Sequence, residues 1–127
     1  MNSNSGQQRN LQNKLVLITG GASGVGLECA RNFAQLGANL LLIGRRNEQL
    51  IAATKTLQQD FDIRAHSLAG DVRHSKFAQK AVDYAHKAFN SRIDILINNA
   101  GTIFRGDFTQ TDDEQWQEAI DTNLNGV

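Results

Sequence analysis

Four glycines, Gly20, Gly21, Gly24 and Gly26, crowd into the stretch LITGGASGVGLECA between Leu17 and Ala30. Each interior glycine weakens a strand or helix by about 0.5–1 kcal/mol relative to alanine, so such a cluster serves local geometry. It follows an apolar run and opens an amphipathic one, which places it on a strand-to-helix turn. There, helix N–H groups and the helix dipole favour an anion, phosphate above all. Spacing separates the chemistries open to such a loop. A triphosphate loop requires glycine, four residues, then Gly-Lys and Ser or Thr; Gly21 and Gly26 have the interval, but Leu27 and Glu28 follow. A hydrolase nucleophile elbow requires glycine two residues either side of a serine; Ser23 has Gly21 before it but Val25 after it. A tight turn without a ligand and a dinucleotide loop remain. The strand before and the helix after favour the dinucleotide loop, in a variant spacing: Thr19, Gly20, three residues, Gly24, one residue, Gly26, in place of G-x-G-x-x-G.

A second cluster follows at LLIGRRNEQL, where an apolar run ends in Arg45 and Arg46 and the nearest acid, Glu48, already belongs to the next helical stretch. In dinucleotide folds a carboxylate at the end of the second strand takes the ribose hydroxyls, whereas positive charge there accommodates a 2′-phosphate. Guanidinium forks match phosphate geometry, so the two arginines predict NADP(H) over NAD(H). The alternative is a pair of solvated loop side chains.

The elements that must position these residues are legible as two alternating periods. KLVLIT (Lys14–Thr19), ANLLLIG (Ala38–Gly44), RAHSLAGDV (Arg64–Val72) and IDILINNAG (Ile93–Gly101) predict strands, the first two nearly all apolar, as for strands covered on both faces. Helices are predicted over Gly24–Leu36, closed by Gly37, over Asn47–Asp60 with Leu50, Ala53 and Leu57 on one face, and over Ser75–Asn90 with Phe77, Ala81, Tyr84, Ala85 and Ala88 on one face. A fourth starts at a capping box, Thr111 with Glu114, and turns Trp116, Ala119 and Ile120 inward. The β-α alternation specifies right-handed crossovers, a doubly wound parallel sheet and a three-layer α/β/α domain over residues 14–127, after a disordered arm over residues 1–13. The expected strand order is 3-2-1-4, truncated after the fourth βα unit. The outer edge of the fourth strand, with Ile93, Ile95 and Ile97, is expected to be open to another strand, which predicts marginal stability and association for the chain alone.

Composition sets outer bounds. At 127 residues the chain is one domain at most, and 13 basic against 13 acidic residues leave no electrostatic footprint for nucleic acid or an anionic membrane. The single cysteine, Cys29, forms no internal disulfide and reads as a small buried hydrophobe. The aliphatic runs Leu15–Ile18 and Leu40–Ile43 are too short to cross a bilayer, and the polar start has no signal-peptide core, so the expected location is the cytoplasm. His66, His74 and His86 show no metal-ligand spacing, and no metal is expected.

TGGASGVG resembles the TGxxxGxG cofactor loop of the short-chain dehydrogenase/reductase family, and three more stretches match that family in order: GDV at Gly70–Val72, NNAG at Asn98–Gly101 and DTNLNGV at the end of the chain. The resemblance runs from about Lys14 to Val127 and implies a Rossmann-type fold. It implies cofactor contacts from Thr19, Gly20, Ala22, Ser23, Gly24, Val25 and Gly26. Asp71 would hold the adenine edge and Val72 would pack on the ring. Asn98, Asn99, Ala100 and Gly101 would steady the sheet and line the cofactor groove, and Asn123 would be the active-site asparagine. The implied reaction is hydride transfer between nicotinamide and a carbonyl or alcohol. A tyrosine serves as acid and base beside a lysine that lowers its pKa, and a serine orients the carbonyl. The chain stops before any of these. Its one tyrosine, Tyr84, has Ala88 four residues on and Lys87 three on, and reads as packing. TIFRGDFTQ (Thr102–Gln110) is expected to line a crevice wall, where Phe104 and Phe108 allow an apolar substrate without requiring one. The resemblance further implies a homodimer or homotetramer.

Two functions follow. In the first, this is the cofactor-binding half of an NADP(H)-dependent reductase whose catalytic Ser, Tyr and Lys lie beyond Val127. In the second, the chain is a truncated nucleotide-binding or interaction module without catalysis, pairing with full-length relatives. A Tyr-x-x-x-Lys after Val127 separates them.

Overall fold

The structure, a computed structural model, describes residues 10–22, 24–71, 74, 76–90 and 92–99 with their side chains, and the backbone of 102–108. Every residue of β1 (Leu15–Thr19) is buried, because the strand is central in the sheet and helices cover both of its faces. Its neighbours are parallel strands: β2 (Asn39–Gly44), with Leu15 opposite Asn39 and Thr19 opposite Ile43, and β4 (Ile93–Asn98), with Ile18 opposite Ile97. β3 (Ala65–Ala69) extends the sheet beyond β2, with Gly44 opposite Ala69.

Side-chain alternation divides the core in two. Val16, Ile18, Leu40 and Leu42 pack under α1 (Gly24–Gln35) and α2 (Asn47–Asp60), while Leu15, Leu17, Leu41 and Ile43 pack under α3 (Phe77–Phe89). α1 presents Ala30 and Ala34 to the sheet, small enough for close approach, and α2 presents Leu50, Ala53 and Leu57. α1 ends where Gly37 takes φ 92°, with Gly37 N donating to Ala34 O and Ala38 N to Phe33 O, a Schellman closure that aims the chain into β2. Within the stretch expected to be a disordered arm, residues 10–13 form a turn held to the end of α1 by Leu11 N donating to Leu36 O. No helix of the described residues is long and apolar enough to cross a membrane.

The strand order is β3-β2-β1-β4-β5, so the expected 3-2-1-4 arrangement is present. Two expectations need correction. The outer edge of β4 is not open: β5 (Thr102–Phe108) lies antiparallel along it, with Thr102 opposite Asn98 and Phe108 opposite Ile93. The same pairing carries Thr102–Phe108 back from the carboxyl end of β4 to its amino end, so the stretch as a whole does not line the crevice. A buried strand with unpaired N–H and C=O groups takes up the nearest chain, and a connection this short permits only an antiparallel return. The helix expected from Thr111, with Trp116, Ala119 and Ile120, lies outside the described residues.

Candidate functional site

The carboxyl ends of β3, β2, β1 and β4 are laced into one rim by hydrogen bonds. Gly20 N donates to Ile43 O at 2.7 Å, tying the turn after β1 to β2, and Gly70 N donates to Gly44 O at 2.8 Å, tying the exit of β3 to β2. On the other side, Asn99 N donates to Thr19 Oγ1 at 3.1 Å and Asn99 Nδ2 to Gly20 O at 3.4 Å. The buried Thr19 hydroxyl in turn donates toward Asn98 Oδ1 at 3.4 Å. The strand order reverses between β1 and β4, so this threonine-asparagine cluster fixes the crevice at the topological switch point, where open α/β sheets take ligands.

The glycine turn is shaped by two different demands. Gly24 opens α1 at φ 60°, a conformation L side chains rarely adopt, and among the described residues a Cβ there would point into open space. Gly26 answers close packing instead: a Cβ on it would collide with the carbonyl of Gly20. Val25 between them is 70% exposed, a branched apolar side chain on the first turn of α1.

Across the rim, Gly20, Ala22, Gly44, Arg45, Arg46 and Gln49 surround a cavity of about 270 Å³, with buried Leu50 behind them. Arg46 is the N-cap of α2, in extended geometry (φ −99°, ψ 96°), and makes no side-chain cap bond. The first-turn N–H groups of α2 therefore add their dipole to the two guanidiniums, and the cavity favours an anion. Arg45 Nη2 lies 3.8 Å from Asp71 Oδ2. A larger cavity of about 490 Å³, lined by Leu11, Lys14, Phe33, Leu36, Asp94 and Ile95, lies at the amino ends of the strands. Its Asp94 is engaged by the Leu15 N–H at 2.9 Å, and it has neither glycine turn nor arginine pair.

Of the residues singled out in the sequence, Thr19, Gly20, Ala22, Arg45, Arg46, Asp71, Asn98 and Asn99 converge on this rim, and Gly24, Val25 and Gly26 form the first turn of α1, with Gly26 packed against Gly20. Ser23, Val72, Ala100, Gly101 and Asn123 lie outside the described residues. Gln49 was missed, although helical periodicity could have found it: three residues after Arg46, it stands one turn up the same face. Tyr84 is not in the crevice. It sits on α3 with its ring 6.2 Å from that of His66, and His66 lies in mid-strand on β3, opposite Leu41. Among the described residues no group of three or more His, Cys, Asp or Glu could hold a metal ion.

A family model described as short chain dehydrogenase matches residues 14–127. Sulfoacetaldehyde reductase 2 of Chromohalobacter salexigens is 40% identical over 114 residues, covering 89% of this chain and 44% of that protein. Oxidoreductase UcpA of Salmonella typhimurium is 38% identical over 120 residues, covering 92% and 43%. Among solved structures, L-sorbose reductase from Gluconobacter frateurii, complexed with NADPH and L-sorbose, is similar with a TM-score of 0.68 at 35% identity, covering 75% of this chain and 36% of that one. The chain spans a little under half the length of the curated relatives it matches.

Proposed function

The chain belongs to the short-chain dehydrogenase family, and we propose that residues 14–127 form an NADP(H)-binding unit serving hydride transfer between nicotinamide and a carbonyl or alcohol. The observation that carries the cofactor choice is the cavity where the glycine turn faces Arg45 and Arg46, with no carboxylate at the end of β2. In this reading the backbone at Gly24 and the start of α1 take the pyrophosphate, and Arg45 and Arg46 take the 2′-phosphate. Asp71 accepts from the adenine edge, and Val72 packs on the ring. Ser23, Ala100 and Gly101 complete the groove. Thr19, Asn98 and Asn99 hold the rim in shape.

When bound, the cofactor supplies the hydride. The acid-base group of the reaction is not Tyr84, the single tyrosine of the chain, since it packs against β3 away from the switch point. We assign that chemistry to a Ser, Tyr and Lys outside these 127 residues, with Asn123 supporting the lysine. The relatives' names, a sulfoacetaldehyde reductase and an L-sorbose reductase, support a carbonyl substrate for the whole protein.

Thermal unfolding tests the cofactor assignment. NADPH at about 100 times its Kd adds about 2.7 kcal/mol, a rise in Tm of roughly 10 °C or more for a domain of this size. NADH at the same concentration is expected to raise Tm by less than half as much. Equal shifts, or a larger one with NADH, overturn the assignment.

A further inference from the structure

We propose that Arg45 is exchanged between two anions, Asp71 in the empty site and the 2′-phosphate of a bound nucleotide, so that Asp71 sets the margin by which the phosphorylated nucleotide is preferred. This rests on the cofactor reading above.

The backbones carrying the pair are fixed. Arg45 follows Gly44 and Asp71 follows Gly70, Gly70 N donates to Gly44 O at 2.8 Å, and Gly44 lies opposite Ala69 in the sheet register. The Arg45 side chain is not held to the same degree. Arg45 Nη2 and Asp71 Oδ2 are 3.8 Å apart, within ion-pair range but beyond a hydrogen bond, and the guanidinium is 63% exposed against 25% for the carboxylate. Arg45 also lines the cavity with Arg46 and Gln49, so one long side chain reaches the aspartate while bordering the phosphate position.

A 2′-phosphate carries about −1.5 to −2 charge at neutral pH with three strong acceptor oxygens, and offers a guanidinium fork a better match than a single carboxylate at this distance. It therefore draws Arg45 away from Asp71. A nucleotide with a free 2′-hydroxyl offers no such charge and leaves Arg45 where it is. Taking Arg45 costs the phosphate whatever the ion pair is worth, and a surface pair whose guanidinium is exposed is worth up to about a factor of five in an equilibrium constant.

The test is calorimetric titration of the 127-residue chain with 2′,5′-ADP and with 5′-AMP. The ratio of their dissociation constants cancels whatever Asp71 contributes to adenine. Asp71→Asn is expected to raise the preference for 2′,5′-ADP about two- to five-fold, equal to about 0.4–1 kcal/mol. With Arg45→Gln already in place, Asp71→Asn is expected to leave the ratio unchanged, because Arg46 has no partner to be released from at position 71. An unchanged ratio in the first case, or an equal rise in both backgrounds from simple field repulsion, overturns the exchange.

A measurement on the unaltered chain is independent of how the variants fold. The Arg45 guanidinium resonances are expected to move on addition of 2′,5′-ADP and to stay in place with 5′-AMP; movement with both, or with neither, overturns the proposal. Equal affinity of the unaltered chain for the two nucleotides would remove the NADP(H) reading and the exchange together. A clear preference that Asp71→Asn does not change would remove the exchange alone.

Discussion

Gly44 and Arg45 sit where β2 meets the cavity, and replacing both, Gly44→Asp with Arg45→Ala, puts a carboxylate where a guanidinium was. One charge-assisted contact is worth about 1.5–3 kcal/mol, so the double change is expected to lower the affinity ratio of NADPH to NADH at least tenfold, read by fluorescence titration. An unaltered ratio would mean that the arginines are solvated bystanders. On the other side of the rim, Thr19→Val keeps the shape but removes the acceptor for the Asn99 N–H and the donor to Asn98. Stability is expected to fall by about 1–3 kcal/mol in urea unfolding, because a buried polar group loses its partner; no change would show that the rim is held by the sheet alone. The glycine spacing and the arginine pair were legible in the sequence, because each is a local pattern of residue types. The approach of Arg45 to Asp71 was not, because it depends on the register between β2 and β3, which no local spacing encodes.

At the scale of elements, β3 carries a titrating group whose environment has a clear direction. His66 is half-buried, with its ring edge-on to Phe89 at 4.8 Å and near Tyr84 of α3. Burial, and then the positive charge of Arg64, holds its pKa below the ordinary 6.5. Between that ordinary value and the lower folded value, the unfolded chain binds more protons than the folded one. Stability is therefore expected to fall as pH drops below about 6.5. His66→Gln is expected to flatten the dependence of the urea midpoint between pH 7.5 and 5.5, and an equal slope in the variant would assign it to other groups. The strands and helices that position the site were legible because buried parallel strands are apolar on both faces and the helices show a single apolar face. The end of α1 was legible from Gly37 alone. β5 was not, since TIFRGDF shows no period-2 pattern, and its pairing depends on the edge that β4 presents.

For the whole molecule, the sheet gathers a glycine turn, an arginine pair, an aspartate and an asparagine cluster from four separate strand ends onto one rim, and helices close both faces behind it. The doubly wound order was legible from the alternation of two hydropathy periods, and the family from four motifs in sequence. The reacting end of the site was not legible, because Asn123 is the one residue of this chain that the resemblance places there. The most direct measurement is a backbone amide NMR titration of the 127-residue chain with NADPH. Saturable shifts are expected, concentrated at Gly20, Gly24, Gly26, Gly44, Arg45, Gln49, Asp71 and Asn99, with weaker binding when NADH is used. Shifts gathered instead around Leu11, Lys14, Phe33 and Asp94 at the amino ends of the strands, or none that saturate, would contradict the cofactor assignment.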